Sequence, residues 1–183
     1  MRLALFTFGI FRQPAEHSVN AGFHARNDAA LAAAEQADGF IARSGYDNEP
    51  GPPLWGLQVY PDFYAERGDG WSPETLSLWE DLESVAAFTY HGLHAEAQRL
   101  GRTWFVDPEW PPYVLWWVGP DHTPDWAEAV GRHRRLHTDG STPDAFNFST
   151  AFNPDGQAAK LDTALVAQKS RRNAERLTAS RAP

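Results

Sequence analysis

The run Tyr113-Val114-Leu115-Trp116-Trp117-Val118 is the strongest constraint in the chain. These consecutive apolar residues follow Pro112 directly and offer water no polar face, so they read as a central strand of a sheet. Such a strand needs partners. Residues 3–11 (LALFTFGIF), closed by Arg12-Gln13-Pro14, supply a second buried strand, and residues 40–46 and 75–79 supply two more. Residues 146–152 read as an edge strand.

Helical spacing fills the intervals. Asn20 or Asn27 marks entry to a helix over residues 21–37, ended by Asp38-Gly39, with Phe23, Asn27, Ala30, Ala34 and Ala37 facing inward. A long helix over residues 82–104 carries Ala86, Tyr90, Leu93, Ala97, Leu100 and Trp104 on one stripe. Pro124 stands near the start of a third helix, reaching about His137, with cationic residues in its last turn. Residues 158–180 form a weakly amphipathic helix or a frayed tail.

The order is strand, helix, strand, strand, helix, strand. It predicts an α+β fold: a ferredoxin-like split β-α-β antiparallel sheet with helices on one face, spanning residues 1–155, then a basic C-terminal helix or tail over 156–183. A sheet face rich in aromatics and left bare predicts a homodimer.

Composition excludes several classes. The absence of cysteine removes disulfides, Cys-ligated zinc, Fe–S clusters and thiol catalysis. No run approaches a membrane span, and the start is unlike a signal peptide, so the expectation is a cytoplasmic protein with no membrane partner. The net charge of −8 is unevenly spread: residues 1–156 hold 10 Lys/Arg against 22 Asp/Glu, and residues 157–183 hold 6 against 2. An acidic body disfavours nucleic acid, and the basic tail, which lacks aromatics, suits association with that body.

The segments QVYPDFY (58–64), LSLWE (76–80), FTYHGLHAE (88–96), Trp104-Phe105, LWWV (115–118) and AFNF (145–148), in this order and spacing, resemble a bacterial domain-of-unknown-function family, number 3291. The resemblance covers about residues 3–152. It implies kinship with the dimeric α/β-barrel superfamily of antibiotic-biosynthesis monooxygenases and haem-degrading enzymes, whose sites lie between sheet and helices.

His94 is the first candidate for chemistry. It borders the apolar stripe four residues after Tyr90, beside the small residues Ala87, Ala97 and Gly101, so a pocket could adjoin its ring. An imidazole there suits a general acid/base, with His91 as the second choice; a structural hydrogen bond to a neighbouring strand is the alternative. Asn27 on an inward face needs partners, either backbone or a substrate carbonyl. Trp79, Ser77 and Tyr90 complete the expected substrate-binding set, although a Trp on a strand is more often core. The aromatic segment 55–71 either packs as a satellite core or closes over a hydrophobic ligand. His133-x-x-x-His137 has ligand spacing, yet cation placement at a helix C-terminus explains it, and no metal site is expected.

Three functions compete. The first is a small-molecule enzyme, monooxygenase-like or isomerase/cyclase-like, acting without a cofactor on an aromatic or polyketide-like molecule. The second is a non-covalent haem protein using His94 or His91. The third is a non-catalytic dimeric binding module for a small hydrophobic or aromatic molecule.

Overall fold

The computed structural model describes residues 1–64, 71–90 and 99–179. Two compact units emerge, one built from Met1–Ile10, Ala42–Leu78 and Pro108–Lys160, the other from Phe11–Ile41, Trp79–Asp107 and Leu161–Pro183. Strands β1 (Arg2–Phe8), β2 (Phe40–Arg43), β3 (Glu74–Trp79) and β4 (Tyr113–Val118) form one antiparallel sheet in the order β2-β3-β1-β4. A second, two-stranded sheet pairs β5 (Ala151–Phe152) with β6 (Ala158–Ala159). The helices are α1 (Ala21–Glu35), α2 (Leu82–Thr89), α3 (Trp126–Asp139) and α4 (Thr163–Ala179), with a further helical stretch at residues 99–104.

In the first unit β1 is the buried axis. Its register against β4 sets Phe6 opposite Val114 and Leu5 opposite Leu115. Side chains alternate across the pleat, so Ala4, Phe6 and Phe8 share one face. α3 lies against that face: Phe6 meets Trp126 edge-on at 6.3 Å and His133 at 5.6 Å. α3 starts where Asp125 accepts the Glu128 N–H at 2.7 Å, and it stops at Gly140, whose φ of 75° only glycine adopts readily. Leu3 and Leu5, on the other face, are 0 % and 5 % exposed. The bare sheet face from which a dimer was expected is therefore absent at β1.

β4 is not central. It ends the sheet order, and its outer edge is closed by an isolated bridge in which Leu115 and Phe146 exchange both backbone hydrogen bonds, at 2.8 and 2.9 Å. That bridge, together with α3, buries the apolar run without a fifth long strand. The edge strand expected over 146–152 is accordingly split: Phe146 bridges to β4, and Ala151–Phe152 turn to β6.

In the second unit α1 presents the expected stripe as its less exposed side, but Phe23, Asn27, Ala30 and Ala34 are only half-buried. Asn20 holds the N-cap position without capping; its buried amide donates instead to the carbonyls of Pro14 (2.9 Å) and Ala15 (3.2 Å). The single helix expected over 82–104 is also corrected. α2 ends at Thr89, with Tyr90 as its cap residue, and helix is next described at residues 99–104.

α4 is a docked helix and not a frayed tail. Asp162 accepts the N–H groups of Ala164 and Leu165 at its start. Buried Lys169 reaches Ser84 Oγ at 2.8 Å and Asp81 Oδ2 at 3.1 Å, while Arg172 pairs with Asp38. Asp81 is also the N-cap of α2, so one carboxylate starts one helix and anchors another. Burial alone would raise the Asp81 carboxyl; the Ser84 hydroxyl and N–H and the Lys169 ammonium outweigh it and hold the group below its ordinary value. Lys169→Ala strands part of this network. Because Asp81 is 34 % exposed, the expected loss is near the lower end for a broken buried pair, about 3 kcal/mol in urea unfolding, with Lys169→Met less damaging.

Candidate functional site

Strand alternation places Glu74, Leu76 and Leu78 on one face of β3 and Thr75, Ser77 and Trp79 on the other. Glu74 is therefore an acid on an apolar row. It is 3 % exposed, against 1 % for each leucine. One oxygen, Oε1, accepts from Gln58 Nε2 at 2.9 Å; the other, Oε2, is buried with no hydrogen-bond partner among the described residues. The Gln58 amide also donates to the Tyr60 hydroxyl at 3.4 Å, and the Tyr46 hydroxyl donates to the Glu74 backbone carbonyl at 3.0 Å.

Two tyrosines thus lie beside Glu74, and among the described residues no cation pairs with its carboxyl. Burial drives the Glu74 group from the ordinary carboxylate range up to about 8, with the Gln58 hydrogen bond opposing only in part. Burial likewise pushes Tyr46 up to about 12, with Arg43 opposing and Glu74 adding. Tyr60 rises to about 12, again chiefly by burial and then by the Glu74 charge. At neutral pH both phenols are intact and Glu74 is mostly the neutral acid. That state can donate a proton and, once emptied, accept one near working pH.

Residues 54–64 reach this carboxyl through Gln58. Trp55 N–H donates to Ser44 Oγ at 3.0 Å, and the Trp55 carbonyl accepts the first N–H of α3, from Trp126, at 3.3 Å. Gly56, at φ 80°, approaches so closely that a Cβ would lie 2.9 Å from Asp125 Cβ. Tyr60 packs on Tyr64 at 4.8 Å, Tyr64 meets Phe8 edge-on at 5.9 Å, and Arg134 pairs with Asp62 at 2.6 Å. The Trp126 indole N–H, its ring 6.0 Å from that of Tyr46, is buried and also lacks a partner among the described residues.

With this geometry in view, the comparison with known families is direct: residues 2–163 match the model of a domain of unknown function, DUF3291. The chain belongs to the DUF3291 family. No curated protein and no solved structure matches it. The DUF3291 match contains every residue around Glu74 and stops at the first residue of α4, so the rest of that helix lies beyond it.

Of the residues singled out from the sequence, the described ones fall elsewhere in this DUF3291 chain. His94 and His91 lie outside the described residues. Trp79 is 1 % exposed, stacked on Phe88 at 5.3 Å and edge-on to Phe40 at 5.3 Å, a core position. Asn27 is half-buried on α1; Tyr90 caps α2 and is 48 % exposed; Ser77 is 6 % exposed on the β3 face opposite Glu74. Asn27, Trp79 and Tyr90 belong to the second unit, Ser77 to the first.

His133 corrects an expectation. It is a fully buried ring whose Nε2 bonds the Pro111 carbonyl at 2.6 Å, and burial lowers its proton affinity; it is not a solvated cation at a helix end. The ring nitrogens of His17, His24 and His122 also engage protein groups. No group of three or more metal-ligating side chains occurs among the described residues, and no helix there is long and apolar enough to cross a membrane.

Glu74 carries a pH signature in stability. Its folded-state value lies above that of an unfolded glutamate, 4.5, so stability is full in acid and falls as pH rises toward about 8. The loss is on the order of 3–5 kcal/mol by pH 9. Glu74→Gln is expected to flatten this slope, as thermal unfolding between pH 5 and 9 will show.

Proposed function

We propose that this DUF3291 chain is a small-molecule enzyme of acid–base type, with Glu74 as the group that exchanges the proton. The observation that carries the reading is a carboxyl with one oxygen held by Gln58 and the other buried and unbonded. Structural carboxyls normally have both oxygens satisfied, and a partnerless one is costly to keep. A proton affinity near 8 suits the transfer.

The chemistry is removal of a proton from a carbon next to a carbonyl. The C–H bond breaks, its electron pair moves toward the carbonyl oxygen as an enolate, and the proton goes to Oε2. Return of that proton to another carbon completes an isomerisation; intramolecular attack by the carbanion on a second carbonyl of the substrate, whose π pair becomes an alkoxide that takes the proton back from Oε2, completes a cyclisation. A monooxygenase-like course would start with the same proton removal, with dioxygen as co-substrate taking its electrons from the substrate, so that a CH2 becomes C=O and the second oxygen atom leaves as water. The aromatic surroundings suit an aromatic or polyketide-like substrate. The sheet order β2-β3-β1-β4 supports placement with ferredoxin-like split β-α-β folds, and through them with the dimeric α/β-barrel superfamily.

Solvent-deuterium exchange into a panel of aromatic 1,3-dicarbonyl compounds, followed by proton NMR, tests the assignment. Glu74→Gln is expected to slow exchange at least about 100-fold, while His94→Ala and His91→Ala retain it. Loss in His94→Ala with exchange unchanged in Glu74→Gln would transfer the role to the histidine.

A further inference from the structure

A buried carboxyl with one oxygen unbonded calls for a positive charge, and among the described residues none pairs with it. Gln58 is its one polar side-chain partner, and Oε2 has none among the described residues. Among the described residues, Arg43 is a cation beside this cluster, and its guanidinium lies 5.9 Å from the centroid of Tyr46. Tyr46 therefore already presents a face to a cation. Tyr60 and Tyr64 form a second aromatic wall, their centroids 4.8 Å apart, joined to the carboxyl through Gln58. The first unit as a whole is acidic, with 7 Lys/Arg against 13 Asp/Glu, which draws cations toward it.

We infer that the Glu74 site takes an organic ammonium ion, with the carboxylate as counter-charge and the faces of Tyr46 and Tyr60 as walls. The inference rests on the reading of Glu74 as the functional group and adds the substrate class, an amine carrying an apolar or aromatic body. The proton that Glu74 holds in the empty site leaves on binding, because the ligand's charge replaces it. The other charged or titratable groups at this cluster are Tyr46, Tyr60, Tyr64, Glu49 and Arg43. Tyr46 and Tyr60, at about 12, lie far above Glu74, at about 8, which titrates between pH 6 and 9.

Benzyltrimethylammonium, which carries a permanent charge and no exchangeable proton, is the probe, with the neutral tert-butyl isostere as control. Calorimetric titration of the full chain in two buffers of different ionisation enthalpy is expected to show binding with release of close to one proton at pH 7. Affinity should rise about tenfold per pH unit from 6 to 8 and then level. Glu74→Gln should abolish binding while remaining folded, as its unfolding curve will confirm. Tyr60→Leu should weaken binding severalfold with the proton release unchanged.

Equal binding of the neutral isostere, binding without proton release, or no binding of the ammonium probe would each overturn the inference. The deuterium-exchange result is read separately. Exchange that depends on Glu74, with no ammonium binding, removes the substrate class alone; ammonium binding without exchange removes the acid–base reading alone.

Discussion

β1 has no wet face, and this constraint organises the first unit. Leu3 and Leu5 are buried on one side and Phe6 and Phe8 on the other. The backbone must then be paired along both edges, by β4 and by β3, because an unbonded buried amide is costly. Side chains on the flanking strands fall under the same rule: each is apolar or finds a partner. Thr7 and Thr75 obey it by bonding each other across the strands at 2.7 Å. Glu74, one residue along, obeys it only by half, and that exception is the chemically informative feature of the unit.

Desolvation outweighs hydrogen bonding at this position. A single amide donor stabilises the ionised form, but burial acts against it and prevails, so the group keeps its proton. Contrast Asp81 in the second unit, where burial is again the largest single influence. There a hydroxyl, a backbone N–H and the Lys169 ammonium together reverse it. One acid is structural because its charge is met inside the chain. The other keeps its proton, with one oxygen unbonded among the described residues.

Much of the architecture was legible in the sequence. The apolar run of β4, the alternation of β3 and the helix expected from Pro124 to about His137 all became elements within a residue or two of expectation, because each signal is local. What was not legible depended on tertiary context. The stripe from Ala86 to Trp104 is continuous in spacing, yet α2 closes at Thr89. β4 read as central because burial on both faces looks the same whether a strand or a lone bridge closes its edge. His133 read as a surface cation because nothing in its spacing tells that Phe6 and Phe8 enclose it. Glu74 was missed by one residue: extending the alternation of residues 75–79 back a single step sets a glutamate in register with Leu76 and Leu78, the one signal that could have found it.

The central claim is that Glu74 is a neutral acid at physiological pH because it is buried and no cation among the described residues meets its charge. Carbon-13 NMR of the side-chain carboxyl carbons, with the Glu74 resonance assigned by comparison with Glu74→Gln, measures this directly. A titration midpoint close to 8 is expected. A midpoint below about 5, the range of an exposed glutamate, would contradict it.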